Sequence, residues 1–159
     1  MIERALADAD ATERLGAALA RTVPWSAPQA LCVYLHGELG AGKTTLVRGL
    51  LRELGVAGTV RSPSFTLLET YACDGHAVLH VDLYRLAGSA DVASLGLRDE
   101  ASPGALLLIE WPERAAGSLP PPDLHVRLSI GGESRRARLE AESGVGKGWL
   151  LAAGAMLAS

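Results

Sequence analysis

The chain contains a glycine-rich loop whose residue types suit phosphate binding, Gly37-Glu38-Leu39-Gly40-Ala41-Gly42-Lys43-Thr44. Its Gly-x4-Gly-Lys-Thr spacing lies between a predicted strand and a predicted helix, which is the context that a P-loop requires. Glycines allow the backbone angles that turn successive N–H groups towards an anion, and the start of the next helix adds a partial positive charge. Lys43 is then expected to reach the β- and γ-phosphates and Thr44 to coordinate Mg²⁺. The loop predicts the binding of a nucleoside triphosphate; a chance glycine-rich turn is the alternative.

Two acidic residues follow apolar runs that are predicted to be strands. Glu110 follows the run 106–109, and Asp82 follows the run 77–81. A P-loop needs an acid at the end of a neighbouring strand to hold Mg²⁺ or its water shell. Ligands of α/β sheets bind at the carboxyl ends of the strands, where both acids are expected to lie. Each acid alone also fits an ordinary strand end, but the pair beside a P-loop favours a metal and catalytic role.

The residues near Asp82 leave further roles open. His80 is expected on the same strand face as Asp82, with Tyr84 beyond it if the strand continues. His80 is a candidate metal ligand, a base or a hydrogen-bonded core histidine, and we favour the last. The loop Ser62-Pro63-Ser64-Phe65-Thr66 holds three hydroxyl groups. These could sense a γ-phosphate or position a water molecule, or they could belong to a surface turn anchored by Phe65.

The lysines of the chain bear on which nucleotide binds. GTP specificity in P-loop proteins usually rests on an Asn/Thr-Lys-x-Asp motif, and Lys147, the only lysine besides Lys43, is followed by Gly148-Trp149. ATP is therefore the expected nucleotide. Thr12, in the first predicted helix, is a candidate to line the adenine pocket.

Hydrophobic spacing predicts the elements that position these motifs. Helices are expected over 11–22, after a capping box at 10–13, and over 44–54, with a stop at Gly55. The other predicted elements are strands near 31–35, 66–71, 77–81, 105–109, 124–130 and 136–141, a short helix at 89–97, and a terminal helix or strand at 149–157. Two strands are wholly apolar, 124–130 alternates like an edge strand, and Asp74-Gly75 signals a hairpin. We expect an α/β fold, a three-layer sandwich of the P-loop NTPase type with a mixed central sheet.

Length and composition limit the class of protein. The 159 residues suit one domain, 1–159, in which about 145–159 form a tail or a terminal element. The net charge of −3 provides no global basic field for nucleic acid, and Cys32 and Cys73 fit neither a disulfide framework nor a metal knuckle. No signal peptide and no apolar stretch long enough to span a bilayer are seen, so we expect a cytoplasmic protein with no membrane contact.

Four sequence blocks occur in an order that carries a family resemblance. They are the P-loop with Thr45, the Ser62–Thr66 loop, His80-Val81-Asp82-Leu83-Tyr84-Arg85-Leu86 and Ile109-Glu110-Trp111-Pro112-Glu113. Together they resemble the bacterial TsaE (YjeE) family over about residues 8 to 140. The last two blocks are far more specific than the P-loop. At Ser64 the family usually has threonine, so the hydroxyl is kept and the methyl group is lost.

The resemblance implies a function and a set of site residues. It implies a slow Mg²⁺-dependent ATPase that works with TsaB and TsaD to form N6-threonylcarbamoyladenosine at position 37 of tRNAs reading ANN codons, with tRNA contacted through the complex. Lys43 and Asp82 would be catalytic, Asp82 as an acid that orients water, and Thr44 and Glu110 would hold Mg²⁺. The nucleotide would be bound by Thr12, Glu38, Leu39, Gly40, Ala41, Gly42, Lys43, Thr44, Thr45, Trp111 and Arg135.

Two other functions remain open from the sequence. A small-molecule kinase would need an acceptor pocket and arginines from a lid, for which 135–138 is a minimal candidate. A non-hydrolysing module would use ATP only as a conformational signal. Direct contact of the same arginine cluster with tRNA is also open, although the net acidity of the chain favours solvent or protein.

Overall fold

A computed structural model describes residues 1–63, 66–87 and 90–159. Ser64 and Phe65 of the hydroxyl loop, and Ser89 of the predicted helix 89–97, lie outside these residues. The described elements are β1 (Ile2–Leu6), α1 (Ala9–Arg21), β2 (Leu31–His36), α2 (Lys43–Glu53), β3 (Leu68–Cys73), β4 (His76–Asp82), α3 (Ala90–Ser94), α4 (Leu97–Glu100), β5 (Ala105–Glu110), a 3₁₀ helix (Pro112–Ala115), β6 (Leu124–Gly131), β7 (Ser134–Ala141) and α5 (Gly144–Ala158).

The strands form one mixed sheet in the order β1-β7-β6-β2-β5-β4-β3. The four central strands β6, β2, β5 and β4 are parallel, and β3, β7 and β1 add antiparallel pairs at the two sides. The carboxyl ends of β2, β5 and β4 therefore meet at one edge, as the positions of the P-loop and the two acids required. The predicted α/β fold with a mixed sheet is confirmed.

Two strands differ from the sequence prediction. Strand β1, which the sequence did not reveal, pairs with β7 in the register Ile2↔Leu139. The run 124–130 is not an edge strand, because β6 lies between β2 and β7. Its alternation has another cause: Val126 and Leu128 are buried on one face, whereas Arg127 and Ser129 are exposed on the other.

Helices cover both faces of the sheet in a three-layer arrangement. On one face α1, α2 and α5 pack with one set of strand residues, among them Val33, Leu108 and Val126. On the other face the alternate residues of β4 and β5 pack with Leu83, Leu86, Val92 and Leu97. Trp149 of α5 is buried and donates its indole N–H to the Leu19 carbonyl at 3.1 Å, so the terminal segment is a packed helix.

Helices α1 and α2 pack against each other, and each helix contributes one glycine to the contact. A Cβ added at Gly16 of α1 would lie 2.1 Å from the Leu46 carbonyl oxygen, and one at Gly49 of α2 would lie 2.2 Å from the Glu13 carbonyl oxygen. Backbone thus packs directly on backbone where α1 meets α2. This close contact fixes the position of α2, whose first residue is Lys43.

Three local features that the sequence predicts can be compared with the structure: a helix cap, a short helix and a hairpin. The N-cap of α1 is Asp8, whose Oδ1 accepts the Ala11 N–H at 2.7 Å, so the predicted capping box at Asp10 is wrong by two residues. The predicted helix 89–97 is divided into α3 and α4 at Gly96, which has a φ of 67°. The hairpin at Asp74-Gly75 is confirmed, with φ of 48° and 80°. Among the described residues no helix has the length and hydropathy to cross a membrane.

Candidate functional site

The P-loop leaves the end of β2 and leads into α2. Gly37, Gly40 and Gly42 have φ of 147°, 81° and 108°, values that side-chain-bearing residues rarely adopt. The Lys43 ammonium donates to the carbonyl oxygens of Gly37 at 2.5 Å and Glu38 at 3.1 Å. Burial lowers the pKa of Lys43, while Glu110 and Asp82 oppose that shift. The cation is therefore held over the loop, at the start of a helix that favours anions.

Asp82 and Glu110 lie side by side at the ends of β4 and β5. They are register partners in the parallel pairing, and Leu35 of β2 is the partner of Glu110 on its other side. The Glu110 carbonyl accepts the Leu83 N–H at 3.1 Å, and the Asp82 Oδ1 accepts the Tyr84 N–H at 2.9 Å. Sheet pairing therefore sets the spacing of the two carboxylates.

One oxygen of Glu110 is the centre of the polar network. Its Oε2 lies 3.4 Å from the Thr44 hydroxyl, 3.3 Å from the Ser62 hydroxyl and 2.5 Å from Nε2 of His80. The Ser62 hydroxyl also donates to Oδ2 of Asp82. Ser62 thus links both acids, a role that the sequence left undecided between sensing and a surface turn. In contrast, Thr66 is exposed and donates only locally, to the Leu68 carbonyl at 3.0 Å.

Trp111 forms one wall of the site through an uncommon backbone conformation. Its φ of 58° and ψ of 49° lie in the left-handed region, which costs a non-glycine residue of order 1 kcal/mol or more. The bend brings its ring centroid 4.4 Å from the Lys43 ammonium and 4.9 Å from the Tyr84 ring. Arg114 lies 5.4 Å from the Tyr84 ring centroid. Tyr84 follows the end of β4 and is exposed, so the expectation that it shares the strand face of His80 is wrong.

Two clefts meet at the loop. The first has a volume of about 260 Å³ and is lined by residues of the P-loop, by both acids and by Ser62, Tyr84 and Trp111. The second, of about 150 Å³, shares Gly40, Gly42 and Thr45 with the first and adds Thr12 and Arg135. Arg135 donates to the Gly40 carbonyl at 3.3 Å, and the buried Thr12 donates to the Asp8 carbonyl at 3.2 Å. The two clefts therefore offer adjoining spaces for a phosphate chain and for the remainder of a nucleotide.

A histidine pair lies on the other face of β2, directly before the loop. His36 Nε2 and His125 Nδ1 are 2.9 Å apart, and His125 Nε2 lies 2.5 Å from the Glu142 carboxylate. Burial lowers the pKa of His36 to about 4, and Arg127 and His125 add to that shift. His36 is thus neutral near pH 7, and it connects the end of β2 to β6.

A sequence model described as "Threonylcarbamoyl adenosine biosynthesis protein TsaE" matches residues 6–138 of the chain. The chain belongs to the TsaE family. The protein of Haemophilus influenzae named tRNA threonylcarbamoyladenosine biosynthesis protein TsaE is 43% identical over 119 residues, which cover 75% of each chain. The protein of the same name from Streptomyces coelicolor is 38% identical over 131 residues, 79% of this chain and 88% of that one.

The fold is also that of a solved structure. The crystal structure of YdiB from Bacillus subtilis superposes with a TM-score of 0.77 and 22% identity, and the match covers 98% of this chain and 95% of that chain. At this identity the likeness shows the fold alone. The match to the TsaE family, in contrast, includes the P-loop and both acidic blocks, since all of them lie within residues 6–138.

The residues singled out by resemblance to the TsaE family come together around the two clefts. Leu39, Gly40, Gly42, Lys43, Thr44, Thr45, Asp82, Glu110 and Trp111 line the first cleft, and Thr12 and Arg135 line the second. Glu38 and Ala41 contribute backbone, since the Ala41 N–H donates to the Glu38 carbonyl at 3.1 Å. Their roles towards a ligand stay predictions.

The donor and acceptor set fits ATP and Mg²⁺. A glycine-rich loop with left-handed backbone angles, a helix N-terminus and a buried lysine suit a phosphate chain. The Thr44 hydroxyl and the Glu110 carboxylate provide two oxygen atoms 3.4 Å apart, the ligand type that Mg²⁺ prefers.

Proposed function

We propose that this protein is the ATP-binding and slowly hydrolysing component of the machinery that forms N6-threonylcarbamoyladenosine at position 37 of tRNAs reading ANN codons. It would act in the cytoplasm with the proteins TsaB and TsaD and contact tRNA through that complex. The observation that carries the ATPase part is the single cluster formed by Lys43, Thr44, Asp82 and Glu110 at the carboxyl edge of three parallel strands. The pathway rests on membership of the TsaE family.

Lys43 and the loop N–H groups would bind and orient the β- and γ-phosphates. The Lys43 ammonium already donates to two loop carbonyls and lies among carboxylates that favour its charged form. Charged donors held in place before reaction need no rearrangement as negative charge develops on the transferred phosphoryl group. Trp111, beside the ammonium, limits the access of water from that side.

Thr44 and Glu110 would hold Mg²⁺, which when bound neutralises charge on the β- and γ-phosphate oxygens. Asp82 would orient the attacking water. Its carboxylate is held by the Tyr84 N–H on one oxygen and by the Ser62 hydroxyl on the other. A carboxylate that is fixed at both oxygens can accept a proton from water in one defined direction, which is what a water-orienting group requires.

A modification assay on unmodified tRNA tests the proposal. TsaB, TsaD, ATP and the activated threonylcarbamoyl donor are combined with the wild-type chain, with Lys43→Ala, or with no added chain. We expect repeated turnovers only with the wild type, and calorimetry should show that folded Lys43→Ala has lost ATP binding. Equal modification without the chain would overturn the pathway assignment, and unchanged ATP affinity in Lys43→Ala would overturn the nucleotide site.

Asp82→Ala separates hydrolysis from signalling. If hydrolysis drives the complex, this variant binds ATP normally but supports no more modification than the reaction without the chain. A non-hydrolysing module would instead remain fully active with this variant. Phosphate release that rises with an added metabolite, and not with the partner proteins, would favour a kinase.

A further inference from the structure

Behind the cleft, His80 contacts the carboxylate that is expected to hold Mg²⁺. The side chain of His80 is 0% exposed, and its Nε2 lies 2.5 Å from Oε2 of Glu110. His80 is two residues before Asp82 on β4, and Asp82 is the register partner of Glu110, so the contact runs diagonally between neighbouring strands. The sheet therefore fixes this contact.

The two ring nitrogens of His80 have different surroundings. Within the described part of the chain, Nδ1 of His80 is buried with no hydrogen-bond partner. An ionised carboxylate can only accept hydrogen bonds, so the contact of 2.5 Å with Oε2 of Glu110 requires the proton to lie on Nε2 of His80. Nε2 is thus the nitrogen that donates to Glu110.

The other two contacts of this Glu110 oxygen are less constrained. Both are hydroxyl groups, of Thr44 and Ser62, whose protons rotate to suit other partners. Ser62 has one proton and also faces Asp82. Among the described residues, only His80 offers Glu110 a donor whose direction is set by a buried ring. Such a donor keeps its geometry when the hydroxyl oxygens take other partners.

We propose that His80 is a positioning residue that acts through Glu110: as an Nε2–H donor, it holds the Glu110 carboxylate in the orientation that binds Mg²⁺ with the nucleotide. His80 itself touches neither metal nor nucleotide. The inference rests on the proposed function, because it gives a role to Glu110 within the same site. Partners of metal-binding carboxylates typically contribute about 10- to 100-fold in metal affinity.

The test compares three variants that differ in what they can donate. His80→Gln places an amide N–H near the position of Nε2, His80→Asn is too short to reach Glu110, and His80→Leu fills the space without a donor. The affinity for the non-hydrolysable analogue AMP-PNP is measured by calorimetry with MgCl2 and with EDTA. The ratio of the two dissociation constants reports the contribution of Mg²⁺.

We expect His80→Leu and His80→Asn to reduce that ratio by about 10-fold or more, with the affinity in EDTA within about twofold of the wild type. His80→Gln should keep the ratio within about threefold. A merely structural role would change both affinities together and would not favour Gln over Asn. If His80→Leu does not fold, the Gln and Asn pair makes the same comparison.

A long-range ¹H–¹⁵N correlation spectrum tests directly whether Nε2 of His80 carries a proton. The protonated type of signal is expected at Nε2 of His80, and an unprotonated Nε2 would overturn its role as the donor. A ratio that His80→Leu leaves unchanged would overturn the positioning role alone. Absence of AMP-PNP binding by the wild type would overturn the proposed function and, with it, this inference.

Discussion

The glycine contact between α1 and α2 makes the position of the P-loop helix sensitive to a single methyl group. In Gly16→Ala the new Cβ would lie 2.1 Å from the Leu46 carbonyl oxygen and 2.8 Å from the Leu50 nitrogen. Ordinary carbon–oxygen contacts are about 3.3–3.6 Å, so the helices must separate by about 1 Å. The obstructing atoms are backbone and cannot rotate away.

The expected cost follows from this overlap. Added methyl groups in tight cores cost about 1–3 kcal/mol, and the upper end applies here because a whole helix must move. Because Gly16 lies inside α1, alanine regains about 1 kcal/mol of helix propensity, which leaves a net cost of about 2 kcal/mol. For a chain of this size 1 kcal/mol lowers the melting temperature by about 2–4 °C, so Gly16→Ala should melt about 4–8 °C below the wild type. Gly49→Ala, whose Cβ would lie 2.2 Å from the Glu13 carbonyl oxygen, should behave alike.

Gly148→Ala is the matched control. Gly148 is an exposed residue of α5, and a Cβ there meets nothing within 4 Å. Alanine gains about 0.8–1.0 kcal/mol of helix propensity, which should raise the melting temperature by about 2–4 °C. Thermal unfolding followed by circular dichroism measures all three variants. The packing argument would be refuted if Gly16→Ala melted within 1 °C of the wild type or shifted in the same direction as Gly148→Ala.

Three further predictions concern pH, capping and the second cleft. The folded-state pKa of His36, about 4, is below the ordinary 6.5, so the free energy of unfolding should fall by up to about 3 kcal/mol as the pH drops from 6.5 to 4. In urea unfolding, the free energy of unfolding of His36→Gln should depend less on pH over this range. Asp8→Ala should lower the melting temperature by about 2–4 °C and Asp10→Ala by less, since only Asp8 caps α1; equal shifts would contradict that assignment. Arg135→Ala should weaken ATP binding about 5-fold or more in calorimetry. Arg136→Ala is the control, because Arg136 lies on the opposite face of β7, and it should leave the affinity for ATP unchanged. The same loss of affinity in both variants would exclude a role for the second cleft.

The parts of the site that follow from local sequence could be predicted. The P-loop is one continuous motif, and Asp82 and Glu110 each end an apolar strand, so their types and positions are visible without the fold. That these two acids are direct neighbours depends on the pairing of β4 with β5. Sequence spacing does not encode such a register, because strands that are far apart in the chain choose it through packing.

The remaining features depend on contacts between distant segments. Strand β1 is short and includes Glu3 and Arg4, and its pairing with β7 joins residues that are distant in sequence, such as Ile2 and Leu139. The role of Ser62 depends on its place beside two acids from other strands. The cap of α1 was misassigned because Asp8 and Asp10 are the same residue type, and only the backbone angles distinguish them.

The order of strands in the sheet also has a consequence for synthesis. β6 flanks the P-loop strand β2, and the Leu128 carbonyl would lie 2.5 Å from a Cβ placed on Gly37, yet β6 begins at Leu124. A ribosome that adds about 5–20 residues per second needs roughly 4 to 16 seconds to pass from Thr44 to that strand. Throughout this interval the nascent chain carries the whole phosphate loop, while the side of β2 that pairs with β6 remains unpaired. We therefore expect the nucleotide pocket to form late in translation. Until then the open edge of β2 can bind chaperones or other nascent strands.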